Sequence, residues 1–147
     1  MKQVEVFTDG ACKGNPGPGG WAAILRFGEH ERTLSGGAER TTNNRMEITA
    51  VIEGLRAISE RCDVMVYTDS EIVANCGAGV WKRKTNQDLW EQIDAETRRH
   101  HRVSYTWVRG HDGHEMNERA DKLASDQAKQ YSRKSAPAKK VPVDELG

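Results

Sequence analysis

No stretch of this chain stays apolar for the roughly 20 residues that a membrane-spanning helix needs. Net charge is also missing. The 22 Lys+Arg residues balance 22 Asp+Glu, so no overall field draws a polyanion to this protein. Any nucleic-acid binding must then come from a local patch, with moderate rather than steep salt dependence. Cysteine is scarce: Cys12, Cys62 and Cys76 are odd in number, far apart and free of any CxxC spacing. They are expected to be reduced thiols, not a disulfide or zinc framework. A charged-then-apolar leader is absent, because Met1-Lys2 runs directly into a strand pattern. Neither GxGxxG after the first strand nor GxxxxGK[ST] occurs, which argues against dinucleotide and P-loop nucleotide binding. No internal repeat is present. These absences leave a soluble cytoplasmic protein, and 147 residues suit one domain with a real core.

What is present is organised around residues 64–70, VMVYTDS. A strand-favouring run there ends in Asp69, and Ser70 opens a short helix limited by Gly77 and Gly79. Open α/β sheets build their sites at such strand ends. The first strand, residues 3–8, likewise runs into Asp9-Gly10. Residues 10–20 (GACKGNPGPGG) read as a tight connector between paired strands. Residues 21–26 and 32–35 flank a hairpin signal at Gly28-Glu29-His30, so the first three strands are expected to form an antiparallel meander.

Thr41, Thr42, Asn43 and Asn44 offer N-caps for a helix at about residues 45–59. Its apolar stripe is Ile48, Val51, Ile52, Leu55 and Ile58, with Glu47 on the shoulder in the first turn. A further helix at about 86–100 carries Trp90 toward the core. Residues 103–108 alternate as a fifth strand, and a last helix covers about 115–130, with Asn117 and Asp121 together on its shoulder. The order is βββ-α-β-α-α-β-α, with the first and fourth strands parallel and central. Residues 1–131 form the expected domain, and 132–147 a polar, Pro-containing tail without fixed structure.

Asp9 and Asp69 from strand ends, and Glu47 and Asp121 from helix shoulders, converge on this topology. Taken singly, each has a plain explanation as a turn, cap or surface residue. Clustered, they repel unless cations bind. Hard oxygen ligands with few histidines favour Mg²⁺ or Mn²⁺ over zinc. Two such ions roughly 3.5–4 Å apart serve phosphoryl transfer by steadying both the attacking and the leaving oxygen.

The blocks FTDGACKGNPGPGG, TTNNRMEITA, YTDS and WVRGHDGHEMNERAD resemble, in order and spacing, the bacterial type 1 ribonuclease H family over residues 3–130. The resemblance implies a ribonuclease H-like α/β fold: a five-stranded mixed sheet, its first three strands antiparallel, with helices on both faces. It implies endonucleolytic hydrolysis of the RNA strand of RNA/DNA hybrids with two Mg²⁺ ions, leaving 3′-hydroxyl and 5′-phosphate ends, in replication and repair. By position, the metal-binding catalytic acids fall on Asp9, Glu47, Asp69 and Asp121. A loop histidine that assists water activation or product departure falls on His111, and His114 matches a structural one. Cys12, Asn15, Thr42, Asn43 and Asn44 become candidates for hybrid contacts, because small polar groups suit sugar, phosphate and 2′-hydroxyl recognition.

Two departures stand out. Many bacterial members carry a longer basic, Trp-rich protrusion where this chain has only residues 77–86, with Trp81, Lys82, Arg83 and Lys84 as its hybrid-binding candidates. Glu71 stands where relatives place a Gln that touches the hybrid's minor groove. The competing readings are a related DNA nuclease or strand transferase, and a non-catalytic hybrid-binding module; intact acids and the absence of room for a DNA-recognition domain weigh against them. Nothing obliges a dimer, so a monomer is expected.

Overall fold

The computed structural model describes residues 1–109 and 114–134. The strands are β1 (Gln3–Cys12), β2 (Gly17–Phe27), β3 (His30–Thr41), β4 (Asp63–Thr68) and β5 (Arg102–Trp107). The helices are α1 (Asn43–Ala57), α2 (Glu71–Gly77), α3 (Gln87–Arg99) and α4 (Glu115–Lys134). One five-stranded sheet has the order β3-β2-β1-β4-β5. The pairs β1–β2 and β2–β3 are antiparallel, while β1–β4 and β4–β5 are parallel. The expected meander and the parallel central pair are both present.

Strand alternation sorts the core into two faces. Val4, Val6, Ala23, Leu25, Val64 and Val66 pack under α1, α2 and α3 with Ile48, Ile52, Leu55, Val73, Trp90 and Ile93. Phe7, Ala22 and Ile24 face α4 through Met116, Ala120 and Ala124. Trp90 lies in the core, as its helical spacing indicated. Among the described residues no helix is long and apolar enough to cross a membrane. Cys62 and Cys76 are buried free thiols, and Cys12 is a half-buried one.

Several boundaries move from those the sequence suggests. The glycine-rich stretch at 10–20 is mostly strand: β1 continues to Cys12 and β2 begins at Gly17. Gly14, with φ of +77°, serves the turn, whereas Gly10, Gly19 and Gly20 serve close approach. A Cβ on Gly20 would stand 2.2 Å from the Ala124 carbonyl oxygen, so its absence lets α4 lie directly on β2. β3 likewise runs six residues beyond Ser35, to Thr41. Thr42 is the N-cap of α1, its Oγ1 accepting the Arg45 N–H at 3.2 Å, so the helix starts before residue 45. Glu47 therefore sits past the first turn, where the helix dipole gives a carboxylate little. α4 continues to Lys134, beyond the expected end near Gln130.

Candidate active site

β1 and β4 run side by side with Thr8 paired to Thr68, so Asp9 and Asp69 follow at neighbouring positions of two parallel strands. Burial pins both ends: Thr8 and Thr68 are fully buried. Asp69 is further held from β5, whose Trp107 indole N–H donates to the Asp69 carbonyl at 3.1 Å. Ser70 then starts α2 by accepting the Val73 N–H at 3.2 Å.

Glu47 arrives from α1. Gly10 makes this possible, because a Cβ there would stand 2.5 Å from the Glu47 backbone nitrogen and 2.7 Å from the Met46 carbonyl carbon. The result is a carboxylate only 4% exposed beside an aspartate only 3% exposed. Oxygens of Asp9, Glu47 and Asp69 all lie within 4.8 Å of one another. Asp121, half-buried on α4, approaches from the opposite face; it stands outside that group of three but near enough to raise the Asp9 carboxyl and, by its charge, that of Glu47.

The electrostatics follow from this crowding. Burial pushes the Asp9 carboxyl well above its ordinary range, and the charges of Glu47 and Asp69 push it further. Glu47 is raised by burial first and by the charge of Asp69 second, with Asp9 and the nearby Gly10 amide opposing, although the Gly10 N–H itself donates to the Asp9 carboxylate at 2.9 Å. Its Oε2 is buried with no hydrogen-bond partner among the described residues. An all-oxygen donor set, an orphaned buried carboxylate oxygen and mutual repulsion together fit one or more hard divalent cations.

The remaining candidates fall into two groups. Asn15, Asn43 and Asn44 are exposed, and the Asn15 side-chain oxygen accepts the Asn43 N–H at 3.0 Å, joining the β1–β2 turn to the start of α1. Thr42, by contrast, spends its hydroxyl on the cap. Cys12 turns its thiol inward to the carbonyls of Gly17 and Thr41, at 3.5 and 3.4 Å. Trp81, Lys82 and Lys84 are exposed along a groove of about 640 Å³ that also includes Asn44 and Ile72, whereas Arg83 turns its guanidinium onto Asp94. Glu71 is exposed at the first position of α2. His111 lies outside the described residues. His114 tilts against Phe7 and lies over Tyr67, with centroids 5.6 and 6.1 Å apart, in keeping with a structural role.

Sequence reasoning missed Trp107, and it placed Asn117 beside Asp121 on the α4 shoulder without giving it a role. The Asn117 amide donates to the Tyr67 carbonyl at 3.5 Å, just behind Asp69. The signal for Trp107 was its place at the end of β5, level with Thr68, but only the strand order reveals it.

The sheet and its acids define a class: an α/β protein whose carboxylate site is of the kind that takes divalent cations for phosphoryl transfer. The sequence pattern of the RNase H family matches residues 1–129. A ribonuclease H of Erythrobacter litoralis is 53% identical, the match covering 87% of this chain and 97% of that protein. Ribonuclease HI of Neisseria meningitidis serogroup A is also 53% identical, covering 88% and 97%. Among solved structures, the N-terminal RNase H domain of a Mycobacterium tuberculosis protein superposes with a TM-score of 0.83 at 28% identity, covering 92% of this chain and 100% of that one. The chain belongs to the ribonuclease H family.

Proposed function

We propose that this protein is an endonuclease that hydrolyses the RNA strand of RNA/DNA hybrids in a Mg²⁺-dependent reaction, leaving 3′-hydroxyl and 5′-phosphate ends. The observation that carries the reading is the buried Asp9–Glu47–Asp69 group, with its unpartnered Glu47 oxygen, in a ribonuclease H chain. Asp9 and Asp69, on adjacent strand ends, together with Glu47 and Asp121, from opposite faces, would hold the ions. Two bound Mg²⁺ ions, or Mn²⁺ in their place, would supply stabilisation of the attacking and leaving oxygens.

The chain's own residues set up that chemistry. Gly10 and Trp107 hold Glu47 and Asp69 in position, through close backbone contact and through a hydrogen bond to the Asp69 carbonyl. Asn15, Asn43 and Asn44 present small amides to sugar and phosphate, and Trp81, Lys82 and Lys84 form the basic edge of the hybrid site. Thr42, Cys12 and Arg83 support these surfaces from within. His111 aids water activation or product departure. The catalytic unit runs to the end of α4 at Lys134, three residues past the boundary at 131 expected from the sequence, and works as a cytoplasmic monomer.

The test uses end-labelled RNA annealed to DNA beside the same RNA alone, an RNA duplex and a DNA duplex, each with Mg²⁺ and with or without EDTA. The reading expects cleavage of RNA in the hybrid only, abolished by EDTA, with 3′-hydroxyl ends. Binding of the hybrid without cleavage would overturn it.

A further inference from the structure

The connector between α2 and α3, residues 78–86, is short, yet it is tied down along its length. The Val80 and Trp81 amides both donate to the Asn75 carbonyl, at 2.9 and 3.2 Å. The Cys76 thiol reaches the Lys82 carbonyl at 3.8 Å, and the Gln87 side chain donates to the Arg83 carbonyl. The centre of this network is Arg83. Its Nε donates to the Cys76 carbonyl at 3.2 Å, and its Nη1 bridges both oxygens of Asp94 at 2.7 and 2.8 Å. The guanidinium also lies 4.4 Å from the centroid of the Trp90 ring, which is itself buried in the core. One side chain thus fastens the connector to the end of α2, the middle of α3 and a core aromatic ring.

The flanking residues behave differently. Lys82 and Lys84 are exposed, and neither has an ion-pair partner among the described residues. Trp81 is 43% exposed beside them. All three line the groove of about 640 Å³ that reaches Ile72 on α2 and Asn44 at the start of α1. Three consecutive cations in a free loop would repel one another and sample many directions. Pairing the middle one with Asp94 removes its charge from the competition and leaves its neighbours on the open surface.

We infer that Arg83 is a positioning residue: clamped by Asp94 and Trp90, it orients Trp81, Lys82 and Lys84 for the nucleic-acid backbone without touching that backbone itself. This rests on the reading that the chain binds RNA/DNA hybrids along the connector. The arrangement gives a short connector preorganised contacts, so that little conformational entropy is lost on binding.

Asp94→Asn separates this role from simple charge. The substitution keeps the side-chain shape, frees the guanidinium and makes the protein more positive. Charge alone then predicts tighter hybrid binding and a steeper salt dependence. Positioning predicts the opposite: KM for the hybrid rises roughly fivefold, while kcat stays within about twofold of wild type. Thermal melting at the assay pH shows that the variant is folded, and Arg83→Lys, which keeps the charge but loses the fork, should raise KM in the same way. A Lys82→Ala/Lys84→Ala double variant is measured beside them. If KM rises in the double variant but is unchanged or lower in Asp94→Asn, the positioning role is overturned and hybrid binding along the connector stands. If KM is unchanged in the double variant, the connector does not bind the hybrid, and both ideas fall together.

Discussion

Gly10 and Glu47 touch backbone to backbone: a Cβ on Gly10 would stand 2.5 Å from the Glu47 amide nitrogen. This contact sets how closely α1 approaches β1, and so how closely the Glu47 carboxylate approaches Asp9. Neither chain segment can give way easily, since Thr8 and Asp9 are buried on one side and Ile48 on the other. Gly10→Ala should cost roughly 1–3 kcal/mol of stability by overpacking. Activity should fall further, by about a hundredfold, because the Glu47 carboxylate moves relative to its partners. Urea denaturation and hybrid cleavage on the same preparation check both parts.

Asp9 and Glu47 make the metal-free protein pay for its site. Burial, then neighbouring acids, raises the folded-state pKa of each above the ordinary values of 3.8 and 4.5. A carboxyl raised in this way contributes its stability below the unfolded-state value and loses it as the pH climbs toward the folded-state value. In chelator, the melting temperature should therefore rise as the pH is lowered from about 8 to about 5, from this contribution. Asp9→Asn should melt several degrees above wild type near pH 7 in chelator. Mg²⁺ should raise the wild-type melting temperature and narrow that gap. Differential scanning calorimetry with and without Mg²⁺ measures all three.

Trp107 holds Asp69 through its backbone, from an exposed indole on the neighbouring strand. Trp107→Phe removes the N–H donor and keeps an aromatic ring. Stability should change by less than about 1 kcal/mol, while kcat should fall about three- to tenfold as Asp69 loses a restraint. Steady-state kinetics on a hybrid substrate, with urea denaturation as control, checks the split.

His100 is a second kind of lock, far from the acids. It is buried, its Nδ1 accepts the Cys62 N–H at 3.3 Å, and its Nε2–H therefore donates to the Leu55 carbonyl at 3.2 Å. It closes the end of α1 against the start of β4, with Arg99 donating to the same Leu55 carbonyl at 3.0 Å. His100→Ala leaves the buried Cys62 N–H without its partner and takes one donor from the Leu55 carbonyl, which keeps Arg99, and should cost roughly 2–4 kcal/mol with the cavity it opens. Hybrid cleavage below the melting transition should stay close to wild type.

The strand order and the meeting of Asp9, Glu47 and Asp69 were legible because they rest on periodicity. Residues 64–68 and 3–8 alternate like strands and end in acids, and the stripe from Ile48 to Leu55 faces the sheet. Strand extents were not legible. Residues 10–12 and 17–20 look like a loop to any rule that reads glycine as a turn, whereas here it admits a helix backbone against the sheet. The depth of Glu47 in α1 was misjudged for a local reason, since Thr41, Thr42, Asn43 and Asn44 are all good caps and only the structure selects Thr42. Arg83 was grouped with its lysine neighbours by sequence. Its turn toward Asp94, eleven residues away on α3, depends on tertiary packing that a charge run does not encode.

The measurement that tests the central claim most directly compares wild type with Asp9→Asn on one end-labelled RNA/DNA hybrid, in Mg²⁺ and in EDTA, with both proteins shown to be folded. The buried acid cluster is the seat of the chemistry if wild type cuts the RNA strand in Mg²⁺ only and the variant does not cut. Cleavage at the wild-type rate by Asp9→Asn, or undiminished cleavage by wild type in EDTA, would contradict it.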